Sequence, residues 1–429
     1  MPHLRSLALD ITPLRQHRDY RSILSGQVIN QLGAQVTRVA LPYQLYVMSH
    51  SALALGALST IQLAGILCFS MLGGAIADAV DRRLLLFCTS GGLLACSATL
   101  CALAFSGVAQ PWQLFILAFV QAVFSAVDGP TRSSMVPRLV SRENLTRAIA
   151  INQAAFQTAG VVGPGLGGLL IAWAGLPAAY GADALSFSAA FVALIAIAPV
   201  PPLGSIRRPG WNAIVAGLRY VRGVPAILGG FVIDLDAMIF GLPVALFPVL
   251  ALDFFHVGAQ GLGFLVSAPS AGAVLGVATS GWLPRVRYPG RVLILVVGFW
   301  GIAITLFGLT PIFPLALLCL AVAGASDALS AMIRNTINQM SSPDELRGRV
   351  SALHSMVVTS GPRMGDIEAT SVAAATTAQI SVVSGGVLCL LGLIAVVRLF
   401  PQLAKYDIEA PLPGDAHEAQ RLSTASASM

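Results

Sequence analysis

A few ionisable side chains interrupt long apolar runs in this chain, and they are the residues able to do chemistry. Asp234 follows Phe231-Val232-Ile233, and Asp236 follows Leu235. Arg38, Arg363 and Asp366 are enclosed in a similar way. In a hydrocarbon setting such groups pair with one another, face a cavity, or bind a proton, ion or substrate. On a helix Asp234 and Asp236 stand about 200° apart, so one of them is expected to face a cavity. Asp234, near the middle of its run, is the candidate for proton or cation binding; the alternative is an acid satisfied by helix packing. Arg363 and Asp366 are three apart, a spacing that suits a local ion pair. Arg38 either pairs with an acid or attracts an anionic substrate.

Amides and hydroxyls extend these positions into stripes. Gln27, Asn30, Gln31, Gln35 and Arg38 share an arc of about 140° on one helix. Gln121, Ser125, Asp128 and Arg132 form a narrow stripe on another. Ser326, Ser330, Arg334 and Asn338 repeat it later in the chain, and Ser355, Thr359, Arg363, Asp366 and Thr370 share one more face. Bond-making chemistry has no comparable signal. The histidines at 3, 17, 50, 256, 354 and 417 have no metal-ligand spacing. His354 could titrate near neutral pH, although a solvated or packed ring explains it as well. Neither a phosphate-binding Gly-rich Lys-Ser/Thr loop nor a His-Glu-x-x-His zinc site is legible, and there is no Gly-x-Ser-x-Gly elbow. No cofactor is expected. The scattered cysteines suggest neither a disulfide framework nor a metal site.

The elements that must carry these stripes follow from composition. The chain has 429 residues, 56 % hydrophobic and 10 % charged, with a mean hydropathy of +0.80. A soluble globule cannot hide that much apolar surface, and a disordered chain is excluded on the same grounds. Apolar stretches fall at roughly 22–48, 53–77, 84–106, 112–131, 148–173, 179–199, 226–251, 261–283, 291–309, 314–335, 351–372 and 380–399. They are too long for the short alternating strands of a membrane barrel. The fold class is therefore an all-α membrane protein with twelve transmembrane helices.

Charge placement supports the count. All of the 25 Lys and Arg except Arg38 and Arg363 lie before the first stretch or at or after the ends of the even-numbered ones. That bias places both termini in the cytoplasm. The net charge of +6 then reflects topology, and no nucleic-acid partner is expected. No cleavable leader is evident, since the first 21 residues carry four Arg and no adequate apolar core. The longest interior polar break separates two six-helix bundles, 1–199 and 226–400, leaving 200–225 as a central cytoplasmic loop. Arg142-Glu143-Asn144-Leu145 and Asp344-Glu345-Leu346-Arg347 occupy like places in the two parts, as do Asp128 and Asp327. Such a 6+6 repeat is a transporter architecture. Residues 401–429 are expected to be a disordered cytoplasmic tail.

Two motifs sharpen this reading. Gly73-Gly74-Ala75-Ile76-Ala77-Asp78-Ala79-Val80-Asp81-Arg82-Arg83 lies between the second and third spans. Its small residues allow close helix approach. Asp78 suits a helix N-terminus, and Arg82 could pair with Asp128. The stretch resembles the signature loop of the major facilitator superfamily. The resemblance implies a gating loop of Gly74, Asp78, Arg82, Arg83 and Asp128 that stabilises the outward-facing state. In the fifth span, Gly163-Pro164-Gly165-Leu166-Gly167-Gly168 resembles the antiporter motif of that superfamily. It implies export, with Gly163, Pro164, Gly167 and Gly168 forming a flat, bendable helix face.

Met135-Val136-Pro137-Arg138-Leu139, Arg38-Val39-Ala40-Leu41-Pro42 and Gly365-Asp366 are similar to the branch of siderophore exporters and macrolide efflux proteins. The resemblance runs through most of residues 20–400. It implies a proton-driven secondary exporter in the bacterial inner membrane, handling a small molecule such as a siderophore of the enterobactin type. The alternative is efflux of macrolides or other drugs. Arg38 and Arg363 suit an anion, whereas Asp234 and Asp366 suit a cation. Gln121 stands where many drug/proton antiporters carry an Arg, which questions coupling by that device. The partners expected are substrate, protons and lipid, with the protein a monomer. Rival classes, an intramembrane enzyme or a non-transporting sensor, lack a catalytic constellation or an added soluble domain.

Overall fold

The computed structural model describes residues 10–79, 81–195 and 218–407, except for the side chains of 70–79, 193, 344–345 and 352. Long helices account for nearly all of it. They are α1 (Arg18–Ser49), α2 (Ala52–Ala79), α3 (Arg82–Ser106) and α4 (Pro111–Leu139). Residues Leu145–Ile195 are helical but break at Gly175, where φ is 79°. A left-handed φ costs glycine little, and the break separates α5 (145–174) from α6 (176–195). The second set is α7 (Pro225–Phe240), α8 (Gly258–Ala278), α9 (Pro289–Leu309), α10 (Phe313–Met340), α11 (Asp344–Ala375) and α12 (Ala378–Leu399). Each expected span falls on one of these helices.

Local chemistry sets the ends. Asp81 caps α3 by accepting from the Arg83 and Leu84 amides at 2.7 and 3.4 Å. Proline opens α4, α7 and α9, where its missing N–H costs nothing. Gly107 ends α3 with φ 68°. Several boundaries differ from expectation: α7 ends at Phe240 rather than 251, α8 at Ala278 rather than 283, and α11 starts at Asp344 rather than 351. α4 runs to Leu139 rather than 131, and α10 to Met340 rather than 335. Asp128 and Arg132 of α4 and the stripe of α10 are buried, so these two helices continue after the apolar run has ended.

α7 is regular only to Phe240. Beyond it come a 3-10 turn at Val244–Leu246 and a π turn at Leu250–Phe254.

Small residues set the helix spacing. A Cβ on Gly276 of α8 would stand 2.7 Å from the Ala325 carbonyl of α10. Gly324 of α10 sits on the Pro269 backbone of α8 in the same way. Such close approach is how helices associate without a hydrophobic driving force.

The two ends of the molecule differ. Loops rich in arginine gather at one end. Among the described residues, hydrogen bonds there stay within the first six helices or within the last six. Tyr20 donates to the Ala148 carbonyl at 2.9 Å, and Arg83 to the Leu194 carbonyl at 3.1 Å. Among the described residues, the side-chain hydrogen bonds joining the first six helices to the last six are Tyr46 to Asp253, Ser59 to Asp366 and Arg363 to Gln62. All three lie toward the arginine-free end.

The start of the tail is ordered, contrary to expectation. Pro401–Ala404 is a helical turn with Leu403 fully buried. Asp407 pairs with Arg287 at 2.9 Å, and Ser341 donates to the Tyr406 hydroxyl at 2.8 Å. Phe400 and Leu403 fill the space left beside Gly229, an apolar contact that composition alone did not reveal. The remainder of the tail and most of the central loop lie outside the described residues.

Candidate functional site

The polar residues of the interior fall into four groups. The first lies between the two helix sets. Asp366 on α11 accepts from Ser59 of α2 at 3.1 Å and from the Ala245 amide beyond α7 at 2.9 Å. Arg363, one turn earlier, donates to Gln62 of α2. The expected Arg363–Asp366 pair is thus replaced by separate bonds across to α2. Arg38 on α1 is within electrostatic range of both. Its side chain is exposed on the side of α1 that lies near Arg363 and Asp366. Among the described residues it forms no hydrogen bond or ion pair.

The second group is Asp128 and Arg132 on α4, both buried and joined at 2.5 Å. Thr89 donates to Asp128 at 2.8 Å, and Arg132 to Ser90 at 2.8 Å. Asp128 therefore pairs along its own helix, where the i,i+4 geometry is immediate, and not with Arg82 as the sequence suggests. Arg82 is itself buried. Arg83 donates to the Leu194 and Ile195 carbonyls and so caps α6. Gly74 and Asp78 belong to the last turns of α2, but their side chains lie outside the described residues.

The third group is the counterpart in the second set. Asp234 of α7 is fully buried and meets Arg334 of α10 at 2.8 Å. His354 of α11 stands 3.9 Å from the same carboxylate. Asp236 points elsewhere, toward Gly392 of α12. Asp234 is thus enclosed and paired, not open to a cavity. Removing one member of such a pair leaves the other charge buried and costs about 3–5 kcal/mol. Asp234→Asn is therefore expected to lower thermal stability in detergent far more than Asp236→Asn does. Equal melting temperatures would contradict this.

The fourth group was not anticipated from sequence. Asp183 of α6 is buried among Thr37, Ser97 and Ser186. Its signal was present, since it is an acid inside an apolar span.

Remaining candidates line helix contacts. A Cβ on Gly163 would lie 2.5 Å from the Gln35 Cβ, and one on Gly167 3.0 Å from the Val36 Cα, so both seat α5 on α1. Gly168 faces α8, where a Cβ would lie 2.5 Å from the Ala259 carbonyl and 2.9 Å from Gly263. Gly263 in turn faces the Pro164 carbonyl. Asn30 is buried with its carbonyl oxygen unpartnered. Gln31 lines a small cleft between α1 and α5 with Gln27 and Asn152, and Gln121 is half-buried on α4.

At the arginine-free end the buried Tyr46 of α1 donates its hydroxyl to Asp253. Tyr46→Phe keeps the ring and removes about 1 kcal/mol. The expected result is a roughly five-fold shift toward a form open at that end. Pulsed-EPR distances between labels at positions 50 and 256 would measure it. An unchanged distance distribution would dismiss Tyr46 as a latch.

Twelve helices in this arrangement, with charges held between the two sets, define a multi-pass membrane transporter of the major facilitator type. The family described as "Transmembrane secretion effector" matches residues 8–427, and the chain belongs to it. This is a transporter family and not an enzyme family. The enterobactin exporter EntS of Escherichia coli O1:K1 / APEC is 28 % identical over 406 residues, covering 92 % of this chain and 96 % of the relative. EntS of Citrobacter koseri is 27 % identical over 418 residues, covering 96 % and 99 %. Among solved structures, the nucleoside transporter NupG is similar with a TM-score of 0.72 at 12 % identity, covering 89 % of this chain and all of that one. A bacterial homologue of the lysosomal transporter Spinster, inward-facing and unoccupied, has a TM-score of 0.70 at 14 % identity, covering 90 % and 98 %.

Proposed function

We propose that this protein is a proton-driven secondary exporter that carries an anionic siderophore of the enterobactin kind out of the cytoplasm. The observation that carries the substrate charge is Arg38. It is an exposed cation beside Arg363 and Asp366, with no ion-pair partner among the described residues. Arg363 adds a second cation, against the single acid Asp366. A surplus of positive charge within the membrane-spanning region is costly unless an anion neutralises it. The similarity to enterobactin exporters supports the same choice.

The arginine-rich end is assigned to the cytoplasm by the charge bias, in the bacterial inner membrane with both termini inside. Bonds between the helix sets at the opposite end then correspond to a cytoplasm-open state. Alternating access rocks one bundle, 1–199, against the other, 226–400, about the substrate site, with 200–225 as the connecting loop. Gly74, Asp78, Arg82, Arg83 and Asp128 would close the cytoplasmic side. Gly163, Pro164, Gly167 and Gly168 would set the closed packing at the other. Asn30, Gln31 and Gln121 would line the path, and Asp234 would respond to protons through its pairing with Arg334 and His354. The protein is proposed to act as a monomer.

Everted membrane vesicles with an imposed proton gradient test the proposal. A catecholate siderophore should be taken up and should dissipate the gradient. Uptake of a cationic macrolide alone would replace the siderophore reading with drug efflux. Siderophore uptake without gradient loss would remove the proton drive.

A further inference from the structure

Asp183 has no place in the mechanism above, yet it is among the most enclosed acids described, at 1 % exposure. Thr37 of α1 donates to its Oδ2 at 2.6 Å, and Ser97 of α3 donates to the same oxygen at 2.7 Å. Ser186 gives its single hydroxyl hydrogen to the Asp183 backbone carbonyl at 2.7 Å. Its oxygen then faces Oδ1 at 3.5 Å with only lone pairs to offer. An ionised Oδ1 would set lone pairs against lone pairs. A protonated Oδ1 has an acceptor waiting.

The surroundings agree. Asp128 and Asp234 have Arg132 and Arg334 beside them, whereas no arginine or histidine forms an ion pair with Asp183 among the described residues. The titratable groups nearby are Tyr180 on α6, Cys96 and Cys101 on α3, and Arg38 on α1. Tyr180 gives its hydrogen to Gln44 at 2.7 Å, and Cys101 donates to the Pro177 carbonyl at 3.2 Å. Arg38 turns to an exposed face of α1. An unpaired buried carboxylate takes up a proton in preference to remaining charged. Gly33 completes the cage, since a Cβ there would lie 2.6 Å from the Ser186 Cβ and 2.9 Å from Oδ1. The next residues of α1, Ala34 and Arg38, are exposed. The acid is therefore separated from an exposed face of α1 only by the thickness of that helix.

We propose that Asp183 is a proton site of the transport cycle, loaded in the state seen here. Release breaks the Oδ1–H bond, delivers the proton to water and leaves a carboxylate held by the Thr37 and Ser97 hydroxyls. Reloading takes a proton from the opposite side. This rests on the proton-driven reading of the preceding subsection.

Infrared pH titration of the full-length protein in liposomes tests the site without any substrate. A protonated-carboxyl band should be present near neutral pH and absent from Asp183→Asn. Thr37→Val keeps the acid but removes a donor to its charged form, so the midpoint of the band should rise by about one pH unit. An Asp183→Asn spectrum identical to wild type, or an unmoved Thr37→Val midpoint, would overturn the assignment.

Proton movement per catecholate siderophore should fall in Asp183→Asn while siderophore exchange across the membrane persists. Unchanged proton movement in that variant would overturn the role in the cycle. Export by wild type with no proton movement would instead overturn the coupling reading itself, and is distinguishable because it needs no variant. Dependence of wild-type export on sodium, with a steady infrared band, would also overturn the proton assignment.

Discussion

Arg38→Ala is expected to raise the KM for an anionic siderophore by about 10- to 100-fold, the loss of one charge-assisted contact. The fold should be unaffected, because this side chain is exposed and holds no hydrogen-bond or ion-pair partner among the described residues. Arg38→Lys keeps the charge but loses the planar fork, so it should recover only part of the affinity. Arg363→Gln is expected to act in the same direction with an added structural cost, since Arg363 also bonds Gln62. Vesicle uptake against siderophore concentration measures all three. If Arg38→Ala transports the anion with wild-type KM, the exposed cation does not recognise substrate. If it instead gains a cationic substrate, the site selects by charge as argued.

Gly168→Val is expected to reduce turnover at least ten-fold by acting on the closure of the arginine-free end. The α5–α8 crossing brings two glycines together, with backbone where a side chain would need to go. Forcing a branched side chain into close packing costs about 1–3 kcal/mol. That cost falls mainly on the state in which the two helices meet, and it amounts to a shift of about 5- to 150-fold between conformations. EPR distances between positions 50 and 256 should lengthen, while Gly348→Ala, at a helical site with nothing within 4 Å, should leave them unchanged. Normal turnover in Gly168→Val would show that the crossing does not need to close this tightly.

Much of this architecture was legible in sequence, because lipid leaves few choices. Hydropathy gave the spans, and the arginines gave their alternation. The glycine motif of α5 was legible as a packing face, since spacing alone decides which residues share a side. Choice of partner was not. Asp128 turned to Arg132 on its own helix, and Asp234 met Arg334 a hundred residues away. Each pairing depends on how helices are rotated and set against one another, which periodicity within one helix does not reveal. The tail shows the same limit. Polar composition from 401 onward suggested disorder, but two apolar side chains, Phe400 and Leu403, were enough to dock its beginning. Asp183 differs from these cases: its residue type and position marked it, but nothing local foretold three hydroxyls from three helices.

That docked tail bears on how the chain is made. Leu403 seats against Gly229 of α7, and its carbonyl against Gly290 of α9. The first and third helices of the second set therefore cannot complete their packing until the last span has been inserted and the residues after it have left the ribosome. The first six helices face no such wait, and domains synthesised earlier generally fold earlier. Assembly in the membrane is thus staged, with the second bundle closing only after its last span and residue 403 have emerged. A chain interrupted before residue 403 would be released with α7 and α9 still open to quality-control proteolysis.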